Sequence, residues 1–254
     1  MTHIIAVTNQ KGGVGKTTTA VNVSACLAAA GKKTLLIDLD PQGNATSGLG
    51  IDKEQLQGNM YDCLIEGLPL TEIIQKTVVK KLFVAPAKMD LAGAAVELVN
   101  MDQREQVLKK ALTPAADSYD YVIIDCAPSL GLLTINALVA SQLVLIPVQC
   151  EFYALEGLAQ LMQSVEMVRD SMNHDLRLLG MVLTMFDGRT NLSLQVAEEV
   201  KKYFSGKVFK TIIPRSVRLS EAPSHGLPIM AYDPHSRGAE AYKKLAREVI
   251  RCAD

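Results

Sequence analysis

"HIIAVTNQKGGVGKTTT", residues 3–19, runs from a short apolar stretch into a glycine-rich loop and on into helix-compatible residues. Ile4, Ile5, Ala6 and Val7 are continuous rather than alternating, the pattern of a strand covered on both faces. Gly12, Gly13 and Gly15 let backbone N–H groups converge on one point without Cβ clashes. A helix starting near Lys16 directs its positive end at the same point. Strand, glycine loop and helix in that order make a phosphate cradle. Gly15-Lys16-Thr17 fits the end of G-x-x-x-x-G-K-[ST], but Gln10 stands where the leading glycine is usual, so the loop is a deviant form. The backbone of Gly12, Gly13, Val14 and Gly15 is expected to wrap the phosphates. Lys16 is placed to neutralise the β and γ phosphates, Thr17 to ligate Mg2+ and Thr18 to reach the α-phosphate. Lys11 is a second lysine in the same loop, and one phosphate chain does not need it.

The pattern repeats outward. Runs at 34–40, 82–87, 121–128, 143–149, 178–186 and 208–214 read as further strands. Helical periods fill 16–30, 102–112, 131–140, 155–172, 191–204 and 237–251. Strand and helix in alternation predict an α/β fold: a mostly parallel, doubly wound sheet flanked by helices, of the P-loop NTPase class. Residues 43–80 are the least regular. One domain spanning 1–254 is expected. Ligands in such sheets bind at the carboxyl ends of strands, and the informative residues fall there. Asp125 closes "YVIID", the Walker B pattern, and is expected to hold Mg2+ through a water. Asp40 ends "LLIDLD" and precedes Pro41; its carboxylate is placed to orient the attacking water or to contact the Mg2+ shell. Asp38 shares the strand face of Asp40 and suits either catalysis or hydrogen bonding to loop backbone.

Bulk properties narrow the function classes. With 48% hydrophobic and 21% charged residues, the chain has the composition of a soluble globular protein. Five cysteines without a C-x-x-C pair suggest reduced thiols. Neither a signal peptide nor a long apolar span is evident, which points to the cytoplasm. The net charge of −1 means that any nucleic-acid binding must use a local patch.

Four motifs together, "KGGVGKTTT", "DLDPQGNATSGLG", "IIDCAPSLG" and "IPRSVRLSEAPSHG", resemble the ParA family of partitioning ATPases, nearest its short chromosomal Soj type. The resemblance spans residues 3 to about 250. At Ala127 the sequence departs from the family's second proline, which implies a slightly looser turn. The resemblance implies ATP and Mg2+ as cofactors and an ATPase that is weak without its partner. It identifies Lys11 with the family's signature lysine, which reaches the phosphates of a facing subunit in an ATP-bound sandwich dimer. It places nucleotide-base contacts near Met185, Pro214 and Arg215. Its implied partners are non-specific double-stranded DNA, bound on the nucleoid, and a ParB-type centromere-binding protein that stimulates hydrolysis.

From residue 201 onward, eleven Lys and Arg face five Asp and Glu, so the charge is polarised. Lys243, Lys244 and Arg247 read first as a solvated helix face and second as a DNA surface. Arg189 and Arg218 are expected in loops, at positions where Soj-like proteins carry arginines for DNA. Two alternatives use the same ATPase core. A MinD-like membrane switch needs an amphipathic C-terminal helix with bulky apolar residues, and "YKKLAREVIRCAD" has Leu245, Val249 and Ile250 but no Phe or Trp and ends acidic. A nitrogenase iron protein relative needs paired cysteines to share an iron–sulfur cluster, and Cys126 has no suitably placed second cysteine.

Overall fold

Six of the seven apolar runs become strands of one sheet in the computed structural model, which describes residues 2–151 and 154–253. In chain order the elements are β1 (His3–Val7), α1 (Lys16–Ala29), β2 (Thr34–Leu39), α2 (Asn44–Gly48), α3 (Leu70–Ile73), β3 (Gln75–Lys76), β4 (Leu82–Ala85), α4 (Leu91–Glu97), α5 (Val107–Ala116) and β5 (Tyr121–Cys126). They continue with α6 (Leu132–Ala140), β6 (Leu143–Gln149), α7 (Ala154–Ser171), β7 (Arg177–Thr184), α8 (Asn191–Tyr203), α9 (Val217–Glu221), α10 (Ile229–Tyr232) and α11 (Arg237–Ala253). The strand order is β3-β4-β2-β5-β1-β6-β7. Every pairing is parallel except β3 with β4, where a two-residue edge strand runs antiparallel.

Alternate residues of each central strand serve opposite faces. Ile4 and Ala6 join one apolar layer with Leu35, Ile37 and Ile124, under α5, α6 and α7. Ile5 and Val7 join the other with Leu36 and Ile123, under α1 and α11. Both faces are covered, so the strands read as continuous apolar runs rather than alternating ones. The strand register then fixes the site: Val7, which leads into the glycine loop, lies beside Asp125, and Asp125 lies beside Asp38.

Two expectations need correction. Residues 208–214 are not a strand, and only isolated bridges join Val208 to Met181 and Pro214 to Phe186. Between those bridges, the amides of Lys210 and Thr211 both donate to the Glu248 carboxylate, at 2.9 Å each, instead of to β7. Residues 210–212 therefore lift off the sheet, while the Phe209 and Ile213 amides still donate to Met181 and Leu183 of β7 at 2.8 Å. Arg218 is not in a loop: it lies within α9.

Candidate nucleotide site

The glycine loop takes its shape from positions only glycine fills easily. Gly13 and Gly15 have φ of 75° and 87°, and Gly15 is the residue from which α1 starts. Lys16 is buried, and its ammonium donates to the carbonyl of Lys11 at 2.9 Å. Burial pulls its pKa down, against the opposing pull of Asp125, Cys126 and Asp40. Gly12, Gly13, Gly15, Lys16, Thr17, Thr18 and Asp40 line one open cleft, which Gln42, Asn44 and Pro128 complete. The predicted phosphate residues are thus brought together.

Side chains that sequence reasoning missed hold the loop in place. Asn9 Nδ2 donates to the Pro147 carbonyl at 2.7 Å, while its Oδ1 accepts from the Lys11 amide at 3.0 Å. Thr184 Oγ1, at the end of β7, donates to the Val14 carbonyl at 2.8 Å. These are contacts between a side chain and distant backbone, and they leave no periodic signal in the sequence.

The two aspartates beside the loop are fully buried and differ in their partners. Asp38 Oδ2 accepts from the Thr46 amide at 2.8 Å and the Thr46 hydroxyl at 2.7 Å, and its Oδ1 accepts from the Asp40 amide at 3.3 Å. The Thr46 hydroxyl in turn accepts from the Ala87 amide at 3.0 Å. Of the two roles open to Asp38, its contacts are those of a loop anchor. Asp40 accepts from the Gln42 amide at 2.9 Å and stands at the rim, where its carboxylate meets the cleft. Both oxygens of Asp125 are enclosed without a fully formed hydrogen bond, and the Thr17 hydroxyl is the donor beside them. Burial, and then the charge of Asp38, push Asp125 well above the usual carboxylate range. Burial also raises Asp38, although its bonds from Thr46 and Asp40 oppose this. An orphaned buried carboxylate next to a hydroxyl fits a hydrated divalent cation. Among the described residues no group of three His, Cys, Asp or Glu encloses a metal alone. That donor set suits Mg2+ held jointly with phosphates.

A second cavity, of about 500 Å3, adjoins Gly15 and Thr18. Met185, Pro214 and Arg215 all line it, with Thr184, Val217 and Leu219. Met185 has a left-handed φ of 49°, and the Phe186 amide then donates to the Ile213 carbonyl at 3.1 Å. This kink closes the wall of an apolar slot suited to a nucleotide base.

Comparison with known proteins agrees with the fold and shows the family. Residues 2–178 match the family model described as an AAA domain. The chain is 62% identical to the sporulation initiation inhibitor protein Soj of Bacillus subtilis over 249 residues, covering 98% of each. It is 55% identical to the chromosome partitioning protein ParA of Myxococcus xanthus, covering 98% of this chain and 88% of that one. The chain belongs to the ParA family of partitioning ATPases. A solved structure of cobyrinic acid a,c-diamide synthase from Mycobacterium smegmatis, with bound ADP and magnesium, superposes with a TM-score of 0.87 at 37% identity, covering 99% of this chain and 95% of that one.

Lys11 Nζ pairs with Glu151 Oε2 at 2.9 Å, and both side chains are about half exposed (40% and 46%). The basic residues predicted to meet DNA are spread over several elements, and some already have carboxylate partners. Arg189, 88% exposed, forks onto both oxygens of Asp187 at 2.8 and 2.6 Å, which holds the Asp187 carboxyl down at about 2. Arg218 contacts Glu221 at 3.0 Å and Asp233 at 3.6 Å. Lys243 contacts Glu240 at 2.9 Å. Among the described residues, Lys244 and Arg247 have no ion pair. The apolar residues of α11 are not free: Leu245 and Val249 are fully buried in the layer with α1. No helix among the described residues is long and apolar enough to cross a membrane.

Proposed function

We propose that this ParA-family chain is an ATP-driven switch for chromosome or plasmid partitioning, in which nucleotide state controls dimerisation and dimerisation controls DNA binding. The observation that carries the reading is the opposed placement of the two loop lysines. Lys16 lies inside the cleft, where it would neutralise the phosphates of its own nucleotide. Lys11 is half exposed and not among the residues that line the cleft, and among the described residues its ammonium is tied only by the surface pair with Glu151. Exposed pairs contribute little, about 0–1 kcal/mol, so a phosphate group arriving opposite Lys11 can replace Glu151. A facing subunit loaded with ATP supplies that group. Lys11 would then make the dimer depend on the γ-phosphate.

In this reading the remaining residues take the following roles. The amides of Gly12, Gly13, Val14 and Gly15 and the start of α1 would receive the phosphates, and Thr18 the α-phosphate. Thr17 would ligate Mg2+ directly, with Asp125 holding it through water. The cation, when bound, neutralises charge on the transferring phosphoryl group. Asp40 would accept a hydrogen bond from the attacking water and fix its line of approach. Met185, Pro214 and Arg215 would contain the base. Arg189, Arg218, Lys243, Lys244 and Arg247 would meet DNA phosphates without reading sequence. A dimer doubles this surface, so ATP gates binding by avidity. A ParB-type partner would accelerate hydrolysis and release the protein from the nucleoid.

The test is DNA binding by the full chain with ATP, with ADP and without nucleotide, alongside Asp40→Ala. Binding only with ATP, persisting in Asp40→Ala while hydrolysis stops, is the expected result. Equal binding in all three nucleotide states would overturn the switch.

A further inference from the structure

The lifting of residues 210–212 from the sheet has a second consequence. It opens a cleft of about 610 Å3 against the first half of α11, with Phe186, Lys210, His235, Arg237, Glu240 and Lys244 on its walls. Its charges are not balanced. Glu240 is already engaged by Lys243 at 2.9 Å. The nearby carboxylate of Glu248 is occupied by the Lys210 and Thr211 amides and the Thr211 hydroxyl. Lys210, Arg237 and Lys244 make no ion pair among the described residues. Arg237 begins α11, a 17-residue helix whose positive end adds to the same field. Three cations without an ion pair, against one wall carboxylate that Lys243 already pairs, leave the concavity net positive and suited to an anion.

The geometry points to this cleft as the main seat for the phosphodiester backbone of nucleic acid on this protein, with Lys210, Arg237 and Lys244 as its contacts. The inference rests on the DNA-binding reading above and redistributes its weight. Arg189, Arg218 and Lys243 must each give up a carboxylate to take a phosphate, whereas the cleft cations need not. Pro214 lines both this cleft and the base cavity, so the seat abuts the nucleotide site.

The experiment uses the full chain with Mg2+ and a non-hydrolysable ATP analogue, and two duplexes of unrelated sequence. Affinity is measured across a range of salt for the parent, Lys210→Gln/Lys244→Gln, Arg237→Gln and Arg189→Gln/Arg218→Gln. The expected result is a salt slope that shrinks by about 0.9 per lost contact, equally for both duplexes. Lys210→Gln/Lys244→Gln should lose more slope than the Arg189 and Arg218 variant, with the ATP-dependent dimer intact by light scattering. If the cleft double variant fails to dimerise, Arg237→Gln alone makes the same test at half the change. An unchanged slope in the cleft variants, with loss in the Arg189 and Arg218 variant, overturns the cleft and leaves the DNA reading standing. A parent protein that binds neither duplex overturns both.

Discussion

Asp125 illustrates how a functional residue can work against its own fold. Its carboxylate is fully buried beside Asp38, and burial raises its pKa. A carboxyl raised in the folded state contributes stability that is complete below the unfolded carboxylate pKa and is lost as pH rises through the folded one. The nucleotide-free protein should therefore become more stable as pH falls from about 6 towards 4, the range over which Asp38, raised to about 6, takes up its proton, and Asp125 acts in the same direction. Asp125→Asn should flatten that dependence and raise the melting temperature by roughly 3–8 °C, while Mg2+-dependent ATP binding weakens. Thermal melts across pH check both halves; a variant that melts lower would mean the carboxylate is stabilising where it stands. Asp40 gives a second test at this scale, through Asp38, which accepts from the Asp40 amide and is itself held by Thr46. Thr46→Val keeps the amide bond to Asp38 but removes the hydroxyl's bonds to Asp38 and from the Ala87 amide and should cost about 1–3 kcal/mol of stability. It should lower kcat for ATP with KM little changed, because the carboxylate's line to water matters in the transition state. Thr46→Ser should restore kcat, which a purely structural defect at this site would not require.

At the scale of elements, the glycine loop and α11 carry the clearest consequences. A Cβ built on Gly12 meets nothing within 4 Å, and Gly12 does not have a positive φ. Gly12→Val should thus fold and bind ATP normally but block a facing subunit, a split visible by light scattering. Leu245 is fully buried under α1, so Leu245→Ala should destabilise by about 2–5 kcal/mol; a near-neutral result would mean that α11 detaches easily. The central sheet, the loop and both metal-side aspartates were legible because continuous apolar runs and fixed motif spacings mark them. Residues 43–80 were not: they hold two short helices, a single turn with wide π-type bonding at Asp62–Glu66, and the edge strand β3. Their order comes from contacts such as Asp62 accepting from the Asn59 amide at 2.8 Å. The false strand at 208–214 had the right composition, but Glu248, far away in sequence, claims the two amides at its middle, those of Lys210 and Thr211. Arg218 looked like a loop residue because five residues of α9 are too few to show a helical period.

For the molecule as a whole, the account turns on one lysine. Both lysines of the loop belong to a single cradle, yet only Lys16 sits inside it. If Lys11 serves a second subunit, its loss should leave nucleotide binding intact and remove assembly. The direct measurement is the molar mass by light scattering of the parent and Lys11→Ala with Mg2+ and a non-hydrolysable ATP analogue, with analogue affinity measured in parallel. The account predicts a parent that doubles in mass on adding the analogue and a Lys11→Ala protein that binds the analogue with similar affinity but stays monomeric. A Lys11→Ala protein that still forms the analogue-dependent dimer would contradict it.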